Sequence, residues 1–382
     1  MNRRKRVWEM LGVASLLLLA LSGCAGFWDA PDSTTTTSTT LSSGYFYVLD
    51  ASDAKVLSYY ISSGSLTLAA SKSLPATPTA FAMSPDNSYM YVGTDSGIFS
   101  YKVSSGTLTL VSSSAISSDV PTAMAVDTTG AWLLEGYGSG TYIYLTAIPV
   151  SSGVQKSGYS SQTVYVSSSA ALNQIAVDPN DDYLFLAAGS YGTETYLFTS
   201  GNTSPIGNGS QQALVNSSGA ALSVAVDPSA RMVYVGESDA VSSSGGLRAF
   251  TYSTSSSSPK LTEISGSPYS SGGTGPHAIL PISGGDTIYV ANWNGTSSGV
   301  IDGFTLTSSS STYTLTKLST TVSTGIEPSS MVEDADDNFV IVGNTGGSPY
   351  LDAYIFDTTT STTLDLTLYN STYSNISVLA AQ

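Results

Sequence analysis

The chain has 382 residues, with 12 Lys and Arg against 28 Asp and Glu, a formal net charge of −16, one cysteine and one histidine. That acidity excludes nucleic acid and anionic bilayer faces as partners, and a lone cysteine excludes intrachain disulfides and cysteine-based zinc sites. Only 10% of residues are charged, so solubility rests on Ser, Thr, Asn and Gly.

The first element is an export signal. Arg3, Arg4, Lys5 and Arg6 form a basic start, and the 13 residues from Leu11 to Gly23 are apolar or small throughout. That run falls short of the ~20 residues a membrane-spanning helix needs, so residues 1–23 are expected to be cleaved. The segment ends Leu21, Ser22, Gly23, Cys24, which resembles the lipobox of bacterial lipoproteins. The resemblance implies a lipidated Cys24 as the new N-terminus. It also implies an exported protein held in a bacterial cell envelope, at the outer membrane or cell surface, with the lipid as its sole membrane contact. Loss of the signal removes four basic residues and one acidic residue, leaving 8 against 27, a net charge near −19. Residues 24–43 are dominated by Ser and Thr and hold too little apolar surface for a core, so they read as a flexible tether with a reach of about 25 Å.

From residue 44 onward one pattern recurs: a small-apolar alternation, an Asp or Pro turn, and a second apolar strand ending near Gly. Its copies run from Thr79 to Gly93, Thr122 to Leu134, Gln174 to Phe185, Ser223 to Gly236, His277 to Asn292 and Ser330 to Asn344. Aligned on the turn, Ser84, Asp127, Asp178, Asp227, Ile282 and Asp334 are equivalent and lie 43 to 55 residues apart, a blade-sized period. Third and fourth strands follow across Ser/Gly turns, as in Tyr101 to Val103, then Ser104 to Gly106, then Leu108 to Leu110. Four antiparallel strands per repeat is the blade of a β-propeller. Tyr45 to Asp50 matches a second strand with no first strand before it, and Asn375 to Leu379 has first-strand alternation with no second strand after it. The two halves complement each other. The expected fold is an all-β, seven-bladed propeller over residues 44–382, closed by the C-terminal strand.

The strands at Tyr91 to Thr94, Tyr234 to Gly236, Tyr289 to Asn292 and Ile341 to Asn344 resemble the Tyr-Val-Thr-Asn repeats of envelope propellers. With the turn Ser84 to Asp86 and the run Gly273 to His277, residues 44–380 resemble the seven-bladed lactonase family, which includes 6-phosphogluconolactonases and carboxy-muconate cycloisomerases. The resemblance implies a central channel and, in a catalytic member, hydrolysis of a lactone. Members often read Gly-Pro-Arg-His where this chain has Gly275, Pro276, His277, Ala278, so His277 stands in the Arg column, one place off.

His277 is the chain's one imidazole and hence its candidate acid or base. Its equivalents in the repeat are Thr79, Thr122, Asn173, Leu222 and Ser329, so these side chains are expected to ring the channel mouth, where a propeller binds ligands. Arg231 falls in a turn and Arg248 at the start of a third strand, so neither arginine is placed to meet an anionic substrate. The acidic turns Asp178 to Asp182 and Asp334 to Asn338 lack the Gly and Glu of a calcium loop and read as structural, so no metal and no cofactor are expected. Trp132, Tyr137, Tyr191 and Trp293 offer stacking surfaces for sugars or packing between blades. The shortage of catalytic groups favours a non-catalytic binding module for a protein, glycan or small ligand. The alternative is a lactonase-like hydrolase using His277.

Overall fold

The computed structural model describes residues 43–382 apart from 63–64, 167–168, 256–257, 284–285, 311, 335–337, 357–365, 373–377 and 382. The signal 1–23, Cys24 and the tether as far as residue 42 lie outside the described residues, as does the stretch Asn375 to Ser377 of the last expected strand. Every regular element among the described residues is a strand.

The repeat folds locally because its turns close themselves. The turn-column residue takes the backbone N–H groups that the strands leave over. Asp127 Oδ1 accepts from Trp132 N at 2.7 Å, Asp334 Oδ1 from Phe339 N at 2.6 Å, and Ser84 Oγ from Tyr89 N at 2.9 Å. Asp178 accepts from Asn180 N and Asp182 N in the same way. These carboxylates are turn caps, the role Asx residues play wherever a strand reverses.

The strands pair antiparallel into six sheets among the described residues. Five of them follow the repeat directly: Pro78–Met83 with Tyr89–Thr94, Gly97–Ser104 and Thr107–Leu110 is typical. The first sheet is built from both ends of the chain, since Val378–Ala381 pairs antiparallel with Phe46–Asp50, Val48 facing Ala381 and Asp50 facing Val378. The sixth sheet departs from the expected division. It has seven strands, because the 22-residue strand Thr312–Glu333 pairs with Ser297–Ser309 through its first half and with Phe339–Gly347 through its second. The sequence here carries no Gly-rich break between a fourth strand and the next first strand. The chain turns only by register shifts around Glu327 and Pro328, where Glu327 has a φ of 57°.

The core lies between sheets. Trp132, Leu134, Ile143 and Leu145 pack against Leu172, Leu184, Leu186 and Phe198, and comparable clusters join each pair of consecutive sheets. A further cluster, with Ala278, Tyr289, Val340 and Tyr354, packs the two halves of the sixth sheet on each other. Both faces of the second and third strands are therefore covered, which is why Tyr91, Tyr234 and Tyr289 on second strands and Tyr354 on a third are almost wholly buried.

Both arginines sit where the repeat puts them, away from the inner strands. Arg248 is buried and donates to Glu237 at 2.8 Å, Glu263 at 2.7 Å and the Ala213 carbonyl at 2.8 Å. It clamps the edge of the fifth sheet, and truncating it would strand the buried Glu237 carboxylate at a cost of about 3–5 kcal/mol. Arg231 bridges Asp227 and Asp286 at 2.7 and 2.8 Å in the turn layer.

Candidate functional site

The inner strands of the second to sixth sheets converge on one cavity of about 840 Å³. Thr79, Thr122, Asn173, Leu222, His277 and Ser329, the six equivalent positions, all line it. Further down, Gln174, Ser330 and the apolar Phe81, Met124, Ile175, Ile279 and Met331 form its wall. Among the described lining residues none carries a formal charge; His277 is the one titratable side chain.

The six mouth residues are not chemically alike, because from the third sheet onward a girdle of hydrogen bonds links each step of the ring to the next inner strand. Thr122 Oγ1 donates to Leu172 O at 2.6 Å, Asn173 Nδ2 to Ala221 O at 2.8 Å and Ser223 Oγ to Pro276 O at 2.7 Å. In the last step Trp293 Nε1 donates to Pro328 O at 2.6 Å. Every acceptor is the carbonyl just before a mouth residue. Thr122 and Asn173 thus use their donors to hold neighbouring sheets in register. Ser329 Oγ donates at 3.3 Å to Gly343 O within its own sheet.

His277 stands outside this girdle. Its ring stacks on the Trp293 indole, with centroids 3.8 Å apart and planes 17° from parallel. It makes no hydrogen bond among the described residues, and no carboxylate orients it. The strand reaches this position through Gly275, where a Cβ would lie 3.1 Å from Cδ2 and 3.2 Å from Nε2 of the imidazole, so a side chain there would crowd the ring. Burial pushes the His277 pKa down to about 4, so the ring is neutral at neutral pH. Two hydroxyls of the same cavity, Thr79 Oγ1 and Ser330 Oγ, are buried without a partner. A neutral imidazole that can take a proton, with an indole face under it that stabilises the imidazolium, supplies the base that water attack on an ester carbonyl uses.

The sequence placed the mouth column and missed Trp293 as its structural partner, Ser330 and Gln174. Strand alternation gives Ser330 and Gln174, since each follows a mouth residue. Nothing local signals Trp293. Of the other aromatics named from sequence, Trp132 is buried between sheets with Nε1 donating to Ser200 O, and Tyr191 packs on the same cluster. Tyr137 stands on the rim.

No protein-family model matches the chain, and no curated protein matches it by sequence. Solved structures do. The periplasmic gluconolactonase PpgL of Pseudomonas aeruginosa superposes with a TM-score of 0.68 at 15% identity, covering 90% of this chain and 99% of that one. A protein of Bacteroides fragilis provisionally described as a 6-phosphogluconolactonase gives 0.68 at 14% identity, covering 91% and 99%. One of Bacteroides uniformis with the same description gives 0.66 at 16%, covering 88% and 98%. The fold is that of the lactonase-like β-propellers. This comparison corrects the expectation of a non-catalytic binding module, since these three similar structures carry the names of lactonases. The physical error lay in reading a shortage of arginine as a shortage of catalysis. Missing cations bear on the charge of a substrate, whereas ester hydrolysis asks only for a base and hydrogen-bond donors.

Proposed function

We propose that this protein hydrolyses an uncharged lactone in the central cavity, with His277 as the base that activates water. The observation that carries this reading is His277 itself: neutral, stacked on Trp293, free of hydrogen bonds among the described residues, and alone among titratable groups on the lining. Water attacks the lactone carbonyl and passes its proton to the imidazole. Hydrogen-bond donors on the cavity lining stabilise the developing oxyanion, and the ring alkoxide takes the proton back as the C–O bond opens. Thr122, Asn173 and Ser329 shape the mouth around the substrate.

The described lining residues offer no cation to a phosphate or carboxylate, and a buried charge without a partner is costly. Glucono-1,5-lactone is therefore expected to be hydrolysed with a kcat/KM at least about tenfold above that of its 6-phosphate, a gap of about 1.4 kcal/mol or more. Rates corrected for spontaneous hydrolysis measure this directly, and a preference for the phosphorylated lactone would show that cations reach the cavity from elsewhere.

The same reading takes the fold as a closed seven-bladed ring, with the sixth sheet supplying two blades and the pairing of Val378–Ala381 with Phe46–Asp50 supporting closure. Closure removes an open sheet edge. An experimental structure counts the blades. The ring is held at a bacterial envelope by lipid on Cys24, and Cys24→Ala is expected to move the protein from the membrane fraction to the soluble exported fraction.

A further inference from the structure

The third sheet carries an aromatic wall that the lactonase chemistry leaves unused. Thr122, on the cavity lining, donates its backbone N–H to Gly136 O at 2.9 Å, so Gly136 marks the level of the mouth. The strand Trp132–Ser139 continues past that level and returns as Tyr142–Ser151, with Ser160–Tyr165 alongside. At 3.3 Å per residue the three residues beyond Gly136 raise this hairpin ~10 Å above the rim.

Alternation sorts its two faces. Gly136, Gly138, Ile143 and Val164 turn inward to the fourth sheet, where a Cβ on Gly138 would meet the Ala170 carbonyl at 2.3 Å. Tyr137, Tyr142, Tyr144 and Tyr165 share the opposite face. Register places Tyr137 against Tyr144 and Tyr142 against Tyr165. The rings form a continuous row, with centroids 5.0 Å apart for Tyr137 and Tyr144, 6.3 Å for Tyr144 and Tyr142, and 5.5 Å for Tyr142 and Tyr165. Tyr142 is 42% exposed and Tyr165 63%, a large outlay of aromatic surface for a row that supports no core.

At the foot of the row lie two carboxyl groups. Glu135 shares the face of Tyr137; it is 1% exposed, its Oε1 is 3.4 Å from Ser117 Oγ, and its Oε2 has no partner. Asp119, half-buried three residues before Thr122, is the charged group beside both Glu135 and Tyr137. Exposed tyrosine faces beside the half-buried Asp119 suit a polyhydroxylated ring, whose C–H face stacks on an aromatic and whose hydroxyls donate to a carboxylate. Asp119 also repels an anionic partner.

We infer that the tyrosine row is a carbohydrate subsite continuous with the cavity, so that the substrate is a neutral oligosaccharide ending in an aldonolactone, its lactone in the cavity and its next sugar on the wall. This rests on the lactonase reading above and extends it to the substrate class.

The test compares cellobionolactone with glucono-1,5-lactone on the full chain, and reads the ratio of their KM values. Stacking of one added sugar ring is expected to lower KM for the disaccharide lactone about tenfold. The double variant Tyr142→Ala, Tyr165→Ala brings the ratio to about one, whereas Tyr142→Phe, Tyr165→Phe keeps it, which separates ring loss from misfolding. Equal KM values for the two lactones in the unaltered protein overturn the subsite and leave the lactonase reading standing. If neither lactone is hydrolysed but cellotetraose binds by calorimetry and the alanine variant abolishes that binding, the wall is supported and the hydrolase reading falls. Neither hydrolysis nor cellotetraose binding overturns both.

Discussion

Replacing His277 with alanine is expected to lower kcat for lactone hydrolysis by about 10²–10⁴-fold, the range a positioned acid or base contributes. The cavity offers no substitute among its described residues, since the rest of its lining is apolar or holds hydroxyl and amide groups that do not titrate near neutrality. The pH profile of the unaltered protein carries the second half of the result. His277 works as a neutral ring, and burial pushes its pKa down to about 4. Activity is therefore held down to about pH 5 and falls only as the imidazole protonates near pH 4, rather than near the 6.5 of a free histidine. A stopped assay across pH 3.5 to 8, with spontaneous hydrolysis subtracted, measures this. A profile that breaks near 6.5, or an alanine variant with unchanged kcat, removes His277 from the mechanism.

The second large effect is on stability. Burial, and then the neighbouring Asp119 carboxyl, push Glu135 up from 4.5 to about 8, and burial pushes Glu194 up to about 7. Both carboxyls are buried with one oxygen lacking a partner. In the folded chain they hold protons that the unfolded chain releases above pH 4.5. The stabilisation these groups contribute is thus fully present in acid and is lost as pH rises to 8 for Glu135 and to 7 for Glu194. At 1.36 kcal/mol per unit the change is on the order of 3–5 kcal/mol for Glu135 and 2–3 kcal/mol for Glu194. His277 acts the other way between about pH 4 and 6.5, because the unfolded chain binds a proton there that the folded one does not. Stability is therefore expected to decline from acid to alkali with its steepest fall near pH 7, where the carboxyls act without that opposition. Denaturant unfolding at pH 5 and pH 8 measures the difference. Glu135→Gln, which keeps the shape and removes the titration, should raise stability at pH 8 and flatten the curve. A curve that stays as steep in that variant would place the titration elsewhere.

Much of the site was legible in the sequence because the repeat transmits position. Aligning turns put Thr79, Thr122, Asn173, Leu222, His277 and Ser329 in one column, and all six reach the cavity. What the column could not reveal is which of them remain chemically free. Thr122 and Asn173 look like ligand-binding residues by type, yet their donors reach Leu172 and Ala221, 50 and 48 residues further along the chain. Trp293 takes the corresponding bond in the sixth sheet and leaves His277 unbonded above it. The off-by-one placement of His277 against the lactonase pattern counted against catalysis only while the column was read as a motif. As geometry it is a neutral imidazole on an aromatic face in a cavity.

The long strand Thr312–Glu333 shows the same limit from the other side. Its two halves carry separate repeat patterns, and local alternation divided them, but no local signal said that hydrogen bonding would run through Glu327 and Pro328 without a break. By itself the sequence determined the strand pattern, the turn caps, the repeat length and the inward column. These depend on side-chain alternation with period two and on Asx chemistry within a few residues. Only the tertiary structure decided that Arg248 is an internal clamp, that the cavity is uncharged among its described residues, and that tyrosines 137, 142, 144 and 165 form one row across the third sheet. Each of those depends on what lies across a sheet or on the next one, and burial there sets both the protonation of Glu135 and His277 and the donors left over for a substrate.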